Sequence, residues 1–245
     1  IYEVNNDTKA LLKKLNKNLK EKILGQDEII NSICAYTRKI YFGFKKDKPY
    51  SFLFVGPTGV GKTLFVKEYA TSLYGSDNFI RIDMSEYKEE YSISKLLGSA
   101  PGYVGYREDN TVMEKIRNHP NCVILLDEIE KASPAVIKVF LQALDEGVVH
   151  DAVGRSISFK NAIIFMTSNL GCNNLSIGFM DDNSLNQSLK DFLSVEFLNR
   201  IDKVFTFKKL DEVVVKKIIN KKLNMLKKQY YDKDINVAVS YTHLR

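Results

Sequence analysis

The sequence predicts an α/β fold, a five-stranded parallel sheet with helices on both faces, and three observations carry that expectation. Short apolar runs alternate with stretches of helical periodicity over most of the 245 residues. A glycine-rich loop separates the first run from the helix that follows it, and the third run ends on two adjacent carboxylates. The runs read as strands are 51–55, 79–83, 122–126, 162–167 and 203–207. Strands that alternate with helices pair in parallel, and ligands of such sheets gather at the carboxyl ends of the strands.

Taken in order, residues 1–6 are a frayed entry, and Asp7 or Thr8 caps a first helix with apolar positions at Leu11, Leu12, Leu15, Leu19 and Ile23. Gly25 ends that helix, a second runs over 27–41, and 43–49 is a polar linker into the first strand. There the chain reads Gly56-Pro57-Thr58-Gly59-Val60-Gly61-Lys62-Thr63, which meets G-x-x-x-x-G-K-[ST] at every fixed position. Glycines let successive backbone N–H groups point inward at phosphate oxygens, and the start of the next helix, over 64–73, adds its partial positive charge. Lys62 then reaches the β- and γ-phosphates and the Thr63 hydroxyl takes magnesium, so the loop predicts a nucleoside triphosphate with Mg2+.

Val123-Ile124-Leu125-Leu126-Asp127-Glu128 places two acids at a strand exit, where a phosphate-loop enzyme uses them. Asp127 is the expected magnesium holder, and Glu128 is free to orient and deprotonate the attacking water. Thr167-Ser168-Asn169 closes the fourth run, so Asn169 is placed to position water or touch the γ-phosphate.

Composition excludes several classes. No apolar stretch approaches the length of a membrane span and the first residues lack the zones of a secretory signal, which makes the cytoplasm the expected location and leaves no role for a membrane. Cys34, Cys122 and Cys172 form no C-x-x-C pair, and His119, His150 and His243 have no ligand spacing, so neither a disulfide framework nor a zinc site is indicated. The net charge of +6 comes from lysines mixed with asparagine along helical stretches, the pattern of solvated faces rather than of a nucleic-acid stripe.

Further motifs are Asp83-Met84-Ser85-Glu86-Tyr87, Gly102-Tyr103-Val104-Gly105, Leu125-Leu126-Asp127-Glu128-Ile129-Glu130-Lys131-Ala132, Gly154-Arg155, Met166-Thr167-Ser168-Asn169 and Phe197-Leu198-Asn199-Arg200-Ile201-Asp202. With the phosphate loop, they make the chain resemble the second ATPase module of Clp-family AAA+ unfoldases over about residues 11–228. The resemblance implies an ATP-driven homo-hexameric ring that threads protein substrates through a central pore. It also implies adenine flanked by Ile23 and Leu24, substrate gripped by Tyr103 and Val104, and nucleotide shared between subunits. Tyr103 between glycines reads either as that grip or as a ring packed under its loop, and Arg200 either as a reach to a neighbour's γ-phosphate or as an intrachain pair with Asp202.

One feature separates subtypes. Ile177-Gly178-Phe179, in a polar segment, resembles the loop by which ClpA- and ClpC-type unfoldases dock onto the ClpP peptidase; the other reading is a loop pinned to its own domain. A ClpB-type disaggregase, which lacks that loop, is the alternative within the family, and a DNA-remodelling AAA+ ATPase the alternative outside it. The large subdomain is expected over 1–207 and the start of a small helical lid over 208–238, with 239–245 read as a non-native tail. Arg107-Glu108-Asp109-Asn110 stands where the family has a glycine pair, Ser133 where it commonly has histidine, and the Gly-Ala-Arg motif of the lid is not reached.

Overall fold

The computed structural model describes residues 6–43, 46–98, 111–170 and 192–231. The chain divides into two compact units, Ile1–Lys209 and Leu210–Arg245. In the first, five strands form one parallel sheet: β1 (Tyr50–Val55), β2 (Phe79–Asp83), β3 (Val123–Asp127), β6 (Ile163–Ser168) and β7 (Lys203–Thr206), in the order β2-β3-β6-β1-β7. The expected strands are all present with boundaries shifted by one residue at most ends, and Asp127 belongs to its strand rather than following it.

The strands are continuous apolar runs because both faces are buried, and the two-residue period of a strand divides each run between two cores. Phe52, Phe54, Val123, Leu125, Ile163, Phe165 and Phe205 face one side. There they meet α1 (Asn6–Lys22), α2 (Asp27–Tyr41) and α3 (Lys62–Tyr74) through Leu15, Leu19, Ile30, Ile33, Phe65 and Tyr69. Leu53, Val55, Ile80, Ile82, Ile124, Leu126, Ile164 and Met166 face the other. Their cover is α4 (Ile93–Leu97), α5 (Val112–Asn118), α6 (Pro134–Glu146) and α7 (Val195–Asn199), which bring Leu96, Met113, Ile116, Phe140, Ala143 and Phe197. On the first side the Phe54 ring lies 4.8, 5.1 and 5.2 Å from those of Phe207, Phe65 and Phe165. Such pairs are worth about 0.5–1.5 kcal/mol each beyond their buried area, so the strand that delivers the phosphate loop has a stiff base.

The structure refines the sequence reading locally. Helix α1 starts at Asn6, so Asp7 and Thr8 lie in its first turn rather than at its cap. Leu11 is half-buried, at the edge of the stripe on which Leu12, Leu15 and Leu19 are buried. An antiparallel hairpin, β4 (Val148–His150) with β5 (Ser156–Ser158), follows α6 and is not signalled in the sequence, its strands being too short for a periodicity.

That hairpin is held by one carboxylate. Asp151 accepts the N–H groups of Val153 (3.0 Å) and Arg155 (2.8 Å) and the Arg155 Nε–H (2.6 Å). Burial alone would raise the Asp151 carboxyl, but these bonds outweigh it and hold it below the ordinary value. Burial pushes the Cys122 thiol up to about 12, which leaves it a packing group rather than a nucleophile. The second unit contributes α8 (Glu212–Tyr231), whose first turn is capped as the Asp211 carboxylate accepts the Val214 N–H at 2.7 Å. Among the described residues no helix is long and apolar enough to cross a membrane.

Candidate active site

The carboxyl ends of β1, β6 and β3 sit side by side, Val55 opposite Ser168 and Leu126 opposite Met166. Because β6 lies between β1 and β3, whatever follows β1 faces whatever ends β3 across the exit of β6. The loop 56–61 follows β1 and turns into α3, with Gly59 at φ 82° and Gly61 at φ 101°. Gly61 is the helix N-cap and brings no side-chain capping bond, which keeps the first-turn N–H groups available to an anion. A cavity of about 470 Å3 opens there, lined by Thr58, Gly59, Gly61, Lys62 and Thr63 from the loop and by Asp83, Asp127, Glu128, Thr167 and Asn169 from the sheet edge.

Gly56 is required by a close approach. A Cβ there would lie 2.7 Å from the Phe207 carbonyl oxygen and 2.8 Å from its Cβ, where the chain leaves β7. Gly56→Ala therefore pushes the loop and β7 apart, at a cost of about 1–3 kcal/mol. The expected outcome is a lower thermal midpoint together with weaker binding of a fluorescent adenine nucleotide. Unchanged stability and affinity would mean that the two segments separate freely.

Within the cavity the side chains form one connected network. Lys62 is 7% exposed, and its Nζ donates to the Gly56 and Pro57 carbonyls (2.5 and 2.9 Å) and to Asn169 Oδ1 (2.7 Å). Asn169 Nδ2 donates to Glu128 Oε1 at 3.2 Å, so Asn169 bridges the lysine and the second acid. The Asn169 N–H donates to Glu130 Oε1 at 2.9 Å, which anchors the bridge. Asp127 is buried and accepts from the Thr63 hydroxyl (3.1 and 3.2 Å), the Thr167 hydroxyl (2.6 Å) and Arg81 Nε (3.0 Å), with Arg81 Nη2 at 2.7 Å. Thr167 in turn accepts the Glu128 N–H at 2.9 Å. These partners fix the Asp127 carboxylate in direction.

Glu128 itself has φ 57° and ψ 59°, and among the described residues it is the non-glycine residue with positive φ. Left-handed backbone costs a side-chain-bearing residue about 1–3 kcal/mol and persists where the surroundings over-determine it. Here the Thr167 bond to its N–H supplies part of that constraint and turns the carboxylate out of the strand direction into the cavity. Asp83 sits on the same edge, its carboxyl held below the ordinary value by hydrogen bonds from Ser85.

The remaining predicted residues lie elsewhere. Ile23 is buried in the core with Val60 and Phe207, Leu24 is half-buried, and neither lines this cavity. Arg200 is also away from it. The pair with Asp202 does not form: Asp202 takes Lys46 and the Ser51 N–H, whereas Arg200 Nη2 donates to Asp145 Oδ2 at 3.1 Å and its Nε lies 2.8 Å from Asp145 Oδ1. Tyr103 and Val104, and Ile177, Gly178 and Phe179, lie outside the described residues. Sequence reasoning missed Arg81 as a partner of Asp127; its signal is an arginine set within the otherwise apolar run Phe79-Ile80-Arg81-Ile82.

The profile of the family described as AAA domain (Cdc48 subfamily) matches residues 47–204. The chain is 41% identical over 245 residues to the ATP-dependent Clp protease ATP-binding subunit ClpE of Bacillus subtilis (strain 168), covering 96% of this chain and 35% of that protein. It is 41% identical over 240 residues to the chaperone protein ClpB of Bacillus cereus (strain ATCC 10987 / NRS 248), covering 94% and 28%. The ClpC subunit of Staphylococcus aureus (strain USA300) is 38% identical, covering 98% and 31%. In a solved structure, the closed state of Hsp104 with ATPγS and casein, a chain superposes with a TM-score of 0.86 at 32% identity, covering 98% of this chain and 43% of that one. The chain thus spans about a third of the length of the curated relatives it matches. A parallel sheet in this order, a phosphate loop facing an acid pair across an asparagine, and these likenesses give one conclusion: the chain belongs to the AAA family, as the second AAA+ ATPase module of the Clp type.

Proposed function

We propose that this module drives a homo-hexameric protein unfoldase of the cytoplasm, which threads polypeptide through its pore by hydrolysing ATP at sites shared between subunits and feeds a ClpP-type peptidase. The observation that carries the reading is the Lys62–Asn169–Glu128 chain beside the buried Asp127. Lys62 holds the terminal phosphates in place of the loop carbonyls, and Glu128 orients the attacking water and takes its proton. Asn169 touches both, so it ties the position of the base to the phosphate that Lys62 holds. The facing oxygens of Thr63 and Asp127 are the hard donors that magnesium takes together with water and phosphate, and they fit it. Bound there, magnesium neutralises phosphate charge. Arg200 serves the site of the neighbouring subunit, and Ile23 and Leu24 border the adenine.

Protein rather than DNA as substrate is supported by Tyr103 and Val104 within their Gly-x-x-Gly frame and by the dispersed lysines. Docking on a peptidase rests on Ile177-Gly178-Phe179, an apolar pair in a polar segment that is a good plug for a hydrophobic pocket. Six such contacts in a ring gain avidity from individually weak ones. In the full-length protein, Ile177→Ser with Phe179→Ser should abolish ClpP-dependent degradation of a tagged substrate while ATP-driven unfolding of the same substrate persists. Degradation that survives the double change removes the docking assignment. The second reading, a disaggregase that works alone, is favoured by the similarity to ClpB and Hsp104, and recovery of an aggregated enzyme without any peptidase is its test.

A further inference from the structure

Arg200 is anchored at two points, and both lead back to its own subunit's site. Its carbonyl accepts the Ser51 hydroxyl at 3.0 Å, at the start of β1, whose other end delivers the phosphate loop. Its guanidinium meets Asp145 at the end of α6, Nη2 donating to Oδ2 and Nε lying 2.8 Å from Oδ1, and the other end of that helix follows on Glu128 and the short turn Ile129–Lys131. A six-residue strand and a thirteen-residue helix each span about 20 Å. Helix α6 is not free to drift, since Val136, Val139, Phe140, Ala143 and Leu144 are all buried in the core.

Asp145 breaks a local rule. It stands in the last turn of α6, which has no basic residue, where the helix dipole is itself negative and a carboxylate is disfavoured. A residue that opposes its helix is explained by what it holds, and what it holds is Arg200. We propose that Asp145 is the positioning residue for Arg200: it aims the guanidinium at the neighbouring subunit's γ-phosphate, and through α6 it ties that aim to the position of Glu128 in its own subunit. The inference rests on the reading that Arg200 acts on the neighbour's site. The Nη2 hydrogen bond together with the close Nε contact holds a planar guanidinium in direction as well as position, which the point charge of a lysine would not allow.

The test uses the full-length hexamer with hydrolysis in its other module silenced. Asp145→Asn and Asp145→Ala should lower kcat for ATP about ten- to hundredfold, the usual cost of misplacing a catalytic group by an ångström. The KM should stay within about twofold, because ground-state binding is untouched. Asp145→Glu should recover part of the loss, and thermal midpoint and hexamer mass should stay at wild-type values because the changed site is exposed and opposes its helix. Asp145→Ala added to Arg200→Ala should cost nothing further, since the two act as a unit. Wild-type kcat in the Asp145 variants with Arg200→Ala slow, or an additive loss in the double variant, overturns the positioning role alone. Wild-type kcat in Arg200→Ala overturns the trans-arginine reading and the positioning role with it.

Discussion

Glu128→Gln keeps ATP bound and nearly stops its turnover in the full-length hexamer. The glutamine keeps the size of the side chain, and its Oε1 still accepts the Asn169 amide that Glu128 Oε1 accepts at 3.2 Å. The Thr167 bond to the backbone N–H of residue 128 is untouched, so the left-handed turn and the direction of the side chain survive. What disappears is the base. Proton transfer by a positioned carboxylate is worth about 10²- to 10⁴-fold, and the hydrolysis rate of this module should fall by that factor. Binding of a fluorescent ATP analogue should stay at the wild-type level or tighten. The measurement needs the other module silenced, and a rate within a few-fold of wild type would remove Glu128 from the role of base.

Arg200→Ala is expected to cost about a thousandfold in kcat, the effect of losing an arginine that meets the developing phosphate charge. The fold should barely notice. The Arg200–Asp145 pair lies on the surface with side chains 31% and 45% exposed, and such pairs contribute about 0–1 kcal/mol. A mixing experiment separates a shared site from a local defect. Subunits with Arg200→Ala keep an intact loop and acid pair but offer no arginine, whereas subunits with Lys62→Ala offer the arginine but hold no phosphate. Each variant alone should be inactive, and mixed rings should regain activity wherever an Arg200→Ala site faces a Lys62→Ala neighbour. Mixtures as inactive as their parents would place the arginine in its own subunit's chemistry.

What the sequence alone determined about this protein is whatever depends on neighbours in the chain. The phosphate loop is legible because glycines at fixed spacing define a backbone path without help from the rest of the fold, as the positive φ of Gly59 and Gly61 bears out. Helix α2 could be bounded at Asp27–Tyr41 because its apolar period and flanking residues are local signals. Strand β3 with Asp127 and Glu128 at its exit is legible for the same reason. Membership of the family follows from such local motifs taken together.

The tertiary structure decided which of those pieces face one another. Sheet order sets β6 between β1 and β3, and only that order brings Asn169 against Lys62, 107 residues away, and Thr167 against Asp127, 40 residues away. The same order brings Arg81 of β2 to Asp127, which an isolated arginine in an apolar run does not announce. Arg200 shows the limit most clearly. Read along the chain, the intrachain alternative for Arg200 is a pair with Asp202, two residues on; in the fold Asp202 is taken by Lys46 and the Ser51 N–H, and Arg200 turns to Asp145 on another helix. A charged side chain pairs with the opposite charge that packing presents at bonding distance, and which charge that is depends on how strands and helices far apart in sequence are laid side by side.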